Sequence, residues 1–334
     1  MPLMKRHGHT ALLLVLVLGA PLLASAIVTR GKETDKIRLN QPNPASTVEP
    51  DDSINHLSDP PVSVAAPAPP RHFEMFKIIN RKSIKELESR LGADGFTAML
   101  KINRTDRNHL RAGNSLIVPV SGADLMRLAP FPADLGIAKA ITKLLLVSRR
   151  VQAFGAYEWG KLVRWGPTST GKKSTPTPAG LYHTNWKAKE TRSSVNQSWV
   201  LPWCFNLDNF SGVSFHKFDL PGYPASHGCV RLLEEDAKWI YDWAEQWTLS
   251  KSDKSILTFG TPVLIFGDYA YGEKPLWKRL VDDPIATEIS VADTEAVLTQ
   301  HMTAIVKKSR MGRPPNPVEQ IPSVAAAAVP ISHQ

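Results

Sequence analysis

The chain has almost no cysteine: two in 334 residues, Cys204 and Cys229. That count excludes a disulfide-stapled scaffold and any metal site built mainly from thiolates. Long hydrophobic runs are also scarce. The longest, at 11–23, falls short of the roughly 20 residues a membrane-spanning helix needs, and no later stretch is more apolar. There are no internal repeats, and no basic stripe interleaved with aromatics of the kind that grips nucleic acid. Acidic residues are in deficit, 31 against 40 Lys and Arg, leaving a net charge of +9. Such a surplus favours solubility and anionic partners.

What is present divides the chain into segments. Lys5, Arg6 and His7 precede the apolar run, and Ala24-Ser25-Ala26 follows it. This is the pattern of a cleavable export signal at 1–26, with an uncleaved anchor as the alternative. The expectation is an exported protein of periplasm or cell wall, without a stable membrane span after cleavage. No cysteine follows the run, so no lipoprotein anchor is expected there. Residues 27–72 are polar and Pro/Ala-rich, which predicts an extended linker. At 83–91, Ile84, Leu87 and Leu91 recur with helical spacing, and Gly92 sits where a C-cap belongs. A second helical turn is expected at 96–100, turn chemistry at 103–106, and a short strand ending at Pro119. Together they make a small α/β subdomain at 73–120.

From 137 the pattern is β-rich. Strands are expected at 140–148, 149–158, 162–165, 211–215 and 263–266, which predicts a sandwich or barrel. One helix stands out at 234–247, with acids at its start and Ala237, Ile240, Tyr241, Ala244 and Trp247 on one face. The segment 269–334 reads as a C-terminal extension. It holds a helix at 293–308 and then drifts into Pro/Ala-rich, disordered sequence.

The chemistry gathers at Ser226-His227-Gly228-Cys229-Val230-Arg231, with His216 upstream. A thiol is mostly protonated at neutral pH and needs a base to become a nucleophile. His216, at the end of a strand-like run, is mounted to supply that base. Gly228 leaves room for a carbonyl, and the N–H groups of Gly228 and Cys229 are candidate oxyanion donors. Ser226 is expected to hydrogen-bond backbone within the loop. His227 either contacts substrate or is structural. Arg231 is a permanent cation that stabilises a thiolate, binds a substrate carboxylate, or holds the loop. Cys204 reads as a buried free thiol, with a reversible bridge to Cys229 as the alternative. Gly166 to Lys173 nearly matches a phosphate loop. Lys173 stands where the metal-binding hydroxyl belongs, however, and Pro176 and Pro178 forbid the following helix. Zinc on His216, His227 and Cys229 lacks a familiar spacing and a fourth ligand.

These residues, together with Thr168-Ser169-Thr170-Gly171-Lys172 running into 175–182 and Gly260-Thr261-Pro262 before a closing strand, resemble the L,D-transpeptidase (YkuD-type) enzymes over roughly 137–268. The resemblance implies a mostly β (α+β), sandwich- or barrel-like catalytic domain with one helix after the cysteine motif. It implies a Cys229 nucleophile and a His216 base whose ring is oriented by the backbone carbonyl of the next residue, here Lys217. The implied substrates are peptidoglycan stem peptides, joined by 3→3 cross-links without any cofactor. Water as acceptor would make the same chemistry a carboxypeptidase or endopeptidase. A non-catalytic wall-binding protein is the rival of another class. Lys101-Ile102-Asn103 and 110–119 are similar to the second half of a LysM module, which binds glycan strands. A packing subdomain is the other reading of 73–120. Oligomeric state is not legible.

Overall fold

The computed structural model describes residues 72–120 and 124–311. The expected export signal, nearly all of the linker, and the last part of the C-terminal extension lie outside the described residues. Among the described residues, no helix is long and apolar enough to cross a membrane.

The first elements form a small module. Strand β1 (Phe73–Lys77) pairs antiparallel with β2 (Ser115–Pro119), and α1 (Arg81–Ile102) lies between them in sequence. A capping box starts the helix: the Asn80 side chain accepts from the Ser83 N–H, and Ser83 reaches back. Gly92, at φ 67°, interrupts it, so α1 is two helical segments meeting at a glycine only a Cβ-less residue fits easily. Leu87, Phe96, Met99, Leu116 and Val118 make the module's core. Asn103 staples helix end to strand, donating to the Met99 and Ile117 carbonyls and accepting from the Ile117 N–H.

The larger part is one sheet. Its strands are β3 (Lys143–Ser148), β4 (Ala153–Glu158), β5 (Lys161–Ser169), β6 (Gly180–His183), β7 (Lys187–Arg192), β8 (Val200–Asp208), β9 (Val213–Lys217), β10 (Val230–Leu232) and, after α2 (Glu234–Trp243) and the small β11–β12 ladder (Thr248–Leu249, Ile256–Thr258), β13 (Pro262–Phe266). The order across it is β6-β13-β3-β4-β5-β10-β9-β8-β7. Residues 144–147 are continuously apolar because both faces are covered: Leu144 and Leu146 enter one core, Leu145 and Val147 the other.

The sandwich-or-barrel expectation resolves to a single curled sheet. β6 and β7 are its two edges, yet only residues 184–186 join them. That connection reaches about 14 Å at full extension. Laid flat, eight strand spacings would separate the edges by about 38 Å. The sheet therefore curls until its edges nearly meet, around a core of Phe205, Phe215, Val230 and Val263 that α2 closes with Ala237 and Ile240.

Two expected helices are altered. The helix after the motif stops at Trp243 rather than 247. Glu245 is pulled out of it: its N–H donates to Thr261 Oγ1, and its carbonyl accepts from Thr184 Oγ1 and the Thr261 N–H. The helix expected at 293–308 is two, α3 (Val291–Thr299) and α4 (Met302–Arg310), separated where the His301 N–H turns back to the Leu298 carbonyl. The extension is more than a tail, since Trp277 is fully buried against Ile102, Ile117 and Leu280.

Candidate active site

β9 and β10 are parallel neighbours, with Arg231 opposite His216. Cys229, just before β10, therefore lies beside Ser214. Most of the residues that sequence reasoning singled out thus converge on one open cavity of about 230 Å³, lined among others by His216, Cys229, His227, Ser226 and Arg231. Lys217 and Gly228 do not line it.

His216 is buried. Its ring Nδ1 lies 2.9 Å from the Lys217 carbonyl, so Nδ1 carries the proton and Nε2 is left as the acceptor. Burial lowers its pKa to about 4; the Lys217 carbonyl opposes that, and nearby Arg231 adds to it. The imidazole is neutral at physiological pH, as a base must be. Phe218 meets it edge-on, with ring centroids 5.8 Å apart.

The Cys229 thiol is half-buried. It donates to the Gly212 carbonyl at 3.2 Å and lies 3.4 Å from Ser214 Oγ. Gly212 and Ser214 were not singled out from sequence. Ser214 carried a signal, since it shares a face with His216 two residues on.

The segment holding the nucleophile is braced by the Thr168–Lys172 stretch. The Ser226 N–H donates to the Thr170 carbonyl, and the Lys172 N–H donates to the Ser226 carbonyl. Buried Thr177 accepts from the Gly171 N–H at 2.8 Å and donates to the Gly228 carbonyl at 2.7 Å. A Cβ on Gly171 would sit 2.1 Å from the Thr175 carbonyl oxygen, so this position must be glycine. This near-phosphate-loop is a brace for the thiol loop. Ser226 Oγ accepts from the Gly228 N–H at 3.1 Å and donates to the Cys229 carbonyl. The Gly228 N–H, expected as an oxyanion donor, is thus already engaged by Ser226.

Arg231 stacks over Phe218, 4.5 Å from its centroid, and donates to the Asp219 carbonyl. His227 is exposed. It receives Lys172 Nζ at 3.0 Å and packs against Trp199, and desolvation followed by Lys172 and Arg231 lowers its pKa. Cys204 is a free, buried thiol on β8, pushed up to about 12 by burial. β9 lies between it and Cys229. Two strand spacings are about 9.6 Å, beyond the ~7 Å a disulfide spans between Cα atoms, so the alternative of a bridge fails without moving β9. Among the described residues, no three His, Cys, Asp or Glu side chains converge as a metal set.

Comparison with known proteins follows this geometry. Residues 142–265 match the YkuD family model, the L,D-transpeptidase catalytic domain. The segment bearing the cysteine motif is thus a domain of that family. Similar solved structures include an L,D-transpeptidase from Mycobacterium smegmatis, at 21% identity and TM-score 0.31, covering 38% of this chain and 59% of that one. Another, from Stackebrandtia nassauensis, has 25% identity and TM-score 0.31, covering 39% and 57%. A third, from Xylanimonas cellulosilytica, has 20% identity and TM-score 0.36, covering 60% and 99%. This chain spans about 59% of the first of these structures' length. No curated protein matches.

Proposed function

We propose that this chain is an exported peptidoglycan L,D-transpeptidase with Cys229 as nucleophile. The observation that carries the reading is that a buried His216, its Nδ1 held by the Lys217 carbonyl, and a half-exposed Cys229 thiol line one cavity. His216 Nε2 takes the Cys229 proton. The thiolate attacks the carbonyl of the third stem-peptide residue, a diamino acid, and the Cys229 N–H meets the oxyanion. The carbon–nitrogen bond to the terminal D-residue breaks as the imidazolium returns its proton to the leaving amine. A thioester remains. His216 then deprotonates an incoming amine from a second stem, which displaces the thiol and forms a 3→3 cross-link. No step calls for a cofactor. The LysM-like reading of 73–120 adds glycan strands as a second contact.

Incubation with disaccharide-tetrapeptides and mass analysis of the products tests this reading. Cross-linked dimers with release of a D-amino acid are expected. Tripeptides alone would replace transfer by hydrolysis. Unchanged substrate on folded, reduced protein would overturn the enzymatic reading in favour of wall binding.

A further inference from the structure

The loop at 218–225 joins the strand of the base to the segment of the nucleophile, and the module at 73–120 grips it. The Asp106 N–H donates to the Leu220 carbonyl at 3.0 Å, and the Leu220 N–H donates to Asp106 Oδ2 at 2.7 Å. Thr105 Oγ1 donates to the same carbonyl at 3.1 Å, and Thr105 and Pro221 form a β-bridge. Leu220 is fully buried. Asp106 is itself fixed, its Oδ1 accepting from the His109 N–H and facing the His109 ring nitrogen at 2.8 Å.

The loop's other contacts lead to the reacting groups. Phe218 is wedged between the His216 ring and the Arg231 guanidinium. The Asp219 carbonyl receives Arg231, and Ser169 Oγ donates to the Tyr223 carbonyl. The same module touches the far flank of the motif as well. Buried Lys101 donates to both oxygens of Asp236, which lies fully buried in the first turn of α2 and is also bonded by Arg164. Cys229 thus lies between two anchor points supplied by one module. A module that served only to bind the wall would need neither.

We propose that Asp106, assisted by Thr105, is a positioning residue for the reaction at Cys229: it fixes Leu220, and through it the loop that sets His216 and Arg231 against the thiol. The proposal rests on the function proposed above but is testable apart from it. Small misplacement of reacting groups is costly, with 1 Å worth on the order of 100-fold in rate.

The experiment compares whole-chain wild type with Asp106→Ala, Asp106→Asn and Thr105→Val, using Glu86→Ala as control. Glu86 pairs with Lys82 on the exposed face of α1. Single-turnover acylation by a carbapenem separates the rate constant from binding, while thermal unfolding and amide exchange at Leu220 report the clamp. Asp106→Ala should lower the acylation rate constant roughly 10-fold or more, with little change in apparent binding and faster Leu220 exchange. Asp106→Asn, which keeps an acceptor oxygen, should recover part of the rate, Thr105→Val should fall between, and Glu86→Ala should match wild type. Folded Asp106→Ala that acylates like wild type would overturn the proposal, as would an equal loss in Glu86→Ala. If wild type itself fails to acylate, the proposed function falls, and the clamp is then judged on Leu220 exchange and on Cys229 alkylation by iodoacetamide. A change in both on Asp106→Ala sustains it, and no change in either overturns it.

Discussion

His216 sits in a pocket that keeps its imidazole neutral far below the usual range, with a pKa of about 4 set first by burial. Two consequences share one cause. The proposed base stays unprotonated as pH falls through 6.5, so the acid limb of acylation should lie near 4. The unfolded chain, by contrast, takes up its proton near 6.5. Between about 6.5 and 4 the unfolded state binds more protons, and stability falls as pH falls. The drop from 6.5 to about 4 corresponds to roughly 3 kcal/mol as an upper bound. His183, lowered to about 4 by burial and then by Lys308, acts in the same direction. Denaturant unfolding from pH 7 to 4 should show His216→Gln losing less stability than wild type. Parallel losses would contradict this account of the ring. The histidine's identity was legible from its strand-like setting, but its depth was not. Burial depends on Phe218 and on the Lys217 carbonyl, whose placement comes from the pairing of β9 with β10.

Among the elements, the stretch from β5 into the loop before β6 does more than its motif indicates. Thr177 is 1% exposed, and its hydroxyl satisfies both the Gly171 N–H and the Gly228 carbonyl. Thr177→Val keeps the shape and strands two buried backbone groups. The expected cost is about 1–3 kcal/mol, together with slower acylation, because the Gly228 carbonyl belongs to the peptide that presents the Cys229 N–H. Thermal unfolding and single-turnover kinetics would read the two effects. A variant matching wild type in both would show that the brace is dispensable. Sequence marked this stretch by Gly171 and the two prolines, which excluded a phosphate loop. It could not mark the brace, which exists only once residues 171 and 228 come together across the sheet. The end of α2 was misjudged for a similar reason: local periodicity ran on to Trp247, while Thr184 and Thr261, flanking β6 and β13, captured Glu245.

At the scale of the whole molecule, sequence showed the mostly β character and several of the strands, and it read Gly92 as a helix end where the structure has a kink within α1. It did not show the single curled sheet, which follows from β6 and β7 being joined by three residues. Nor did it show how closely the parts are bolted together. Arg104 is fully buried, at a left-handed φ of 56°. It donates to the Val151, Lys101 and Ile102 carbonyls and stacks on Trp165 and Trp277, so one side chain ties module, sheet and C-terminal extension. An isolated arginine in a turn carries no sign of this role, because the groups it serves lie far apart in sequence. The candidate nucleophile and base were nonetheless legible, since their chemistry needs rare residue types in close sequence.

The most direct test of the account is the intact mass of the reduced protein after incubation with a carbapenem, beside Cys229→Ala. The account predicts a single covalent adduct on wild type and none on the variant, although Cys204 remains in both. An adduct that survives in Cys229→Ala, or its absence from well-folded wild type, would contradict the claim that Cys229 is the activated acyl acceptor.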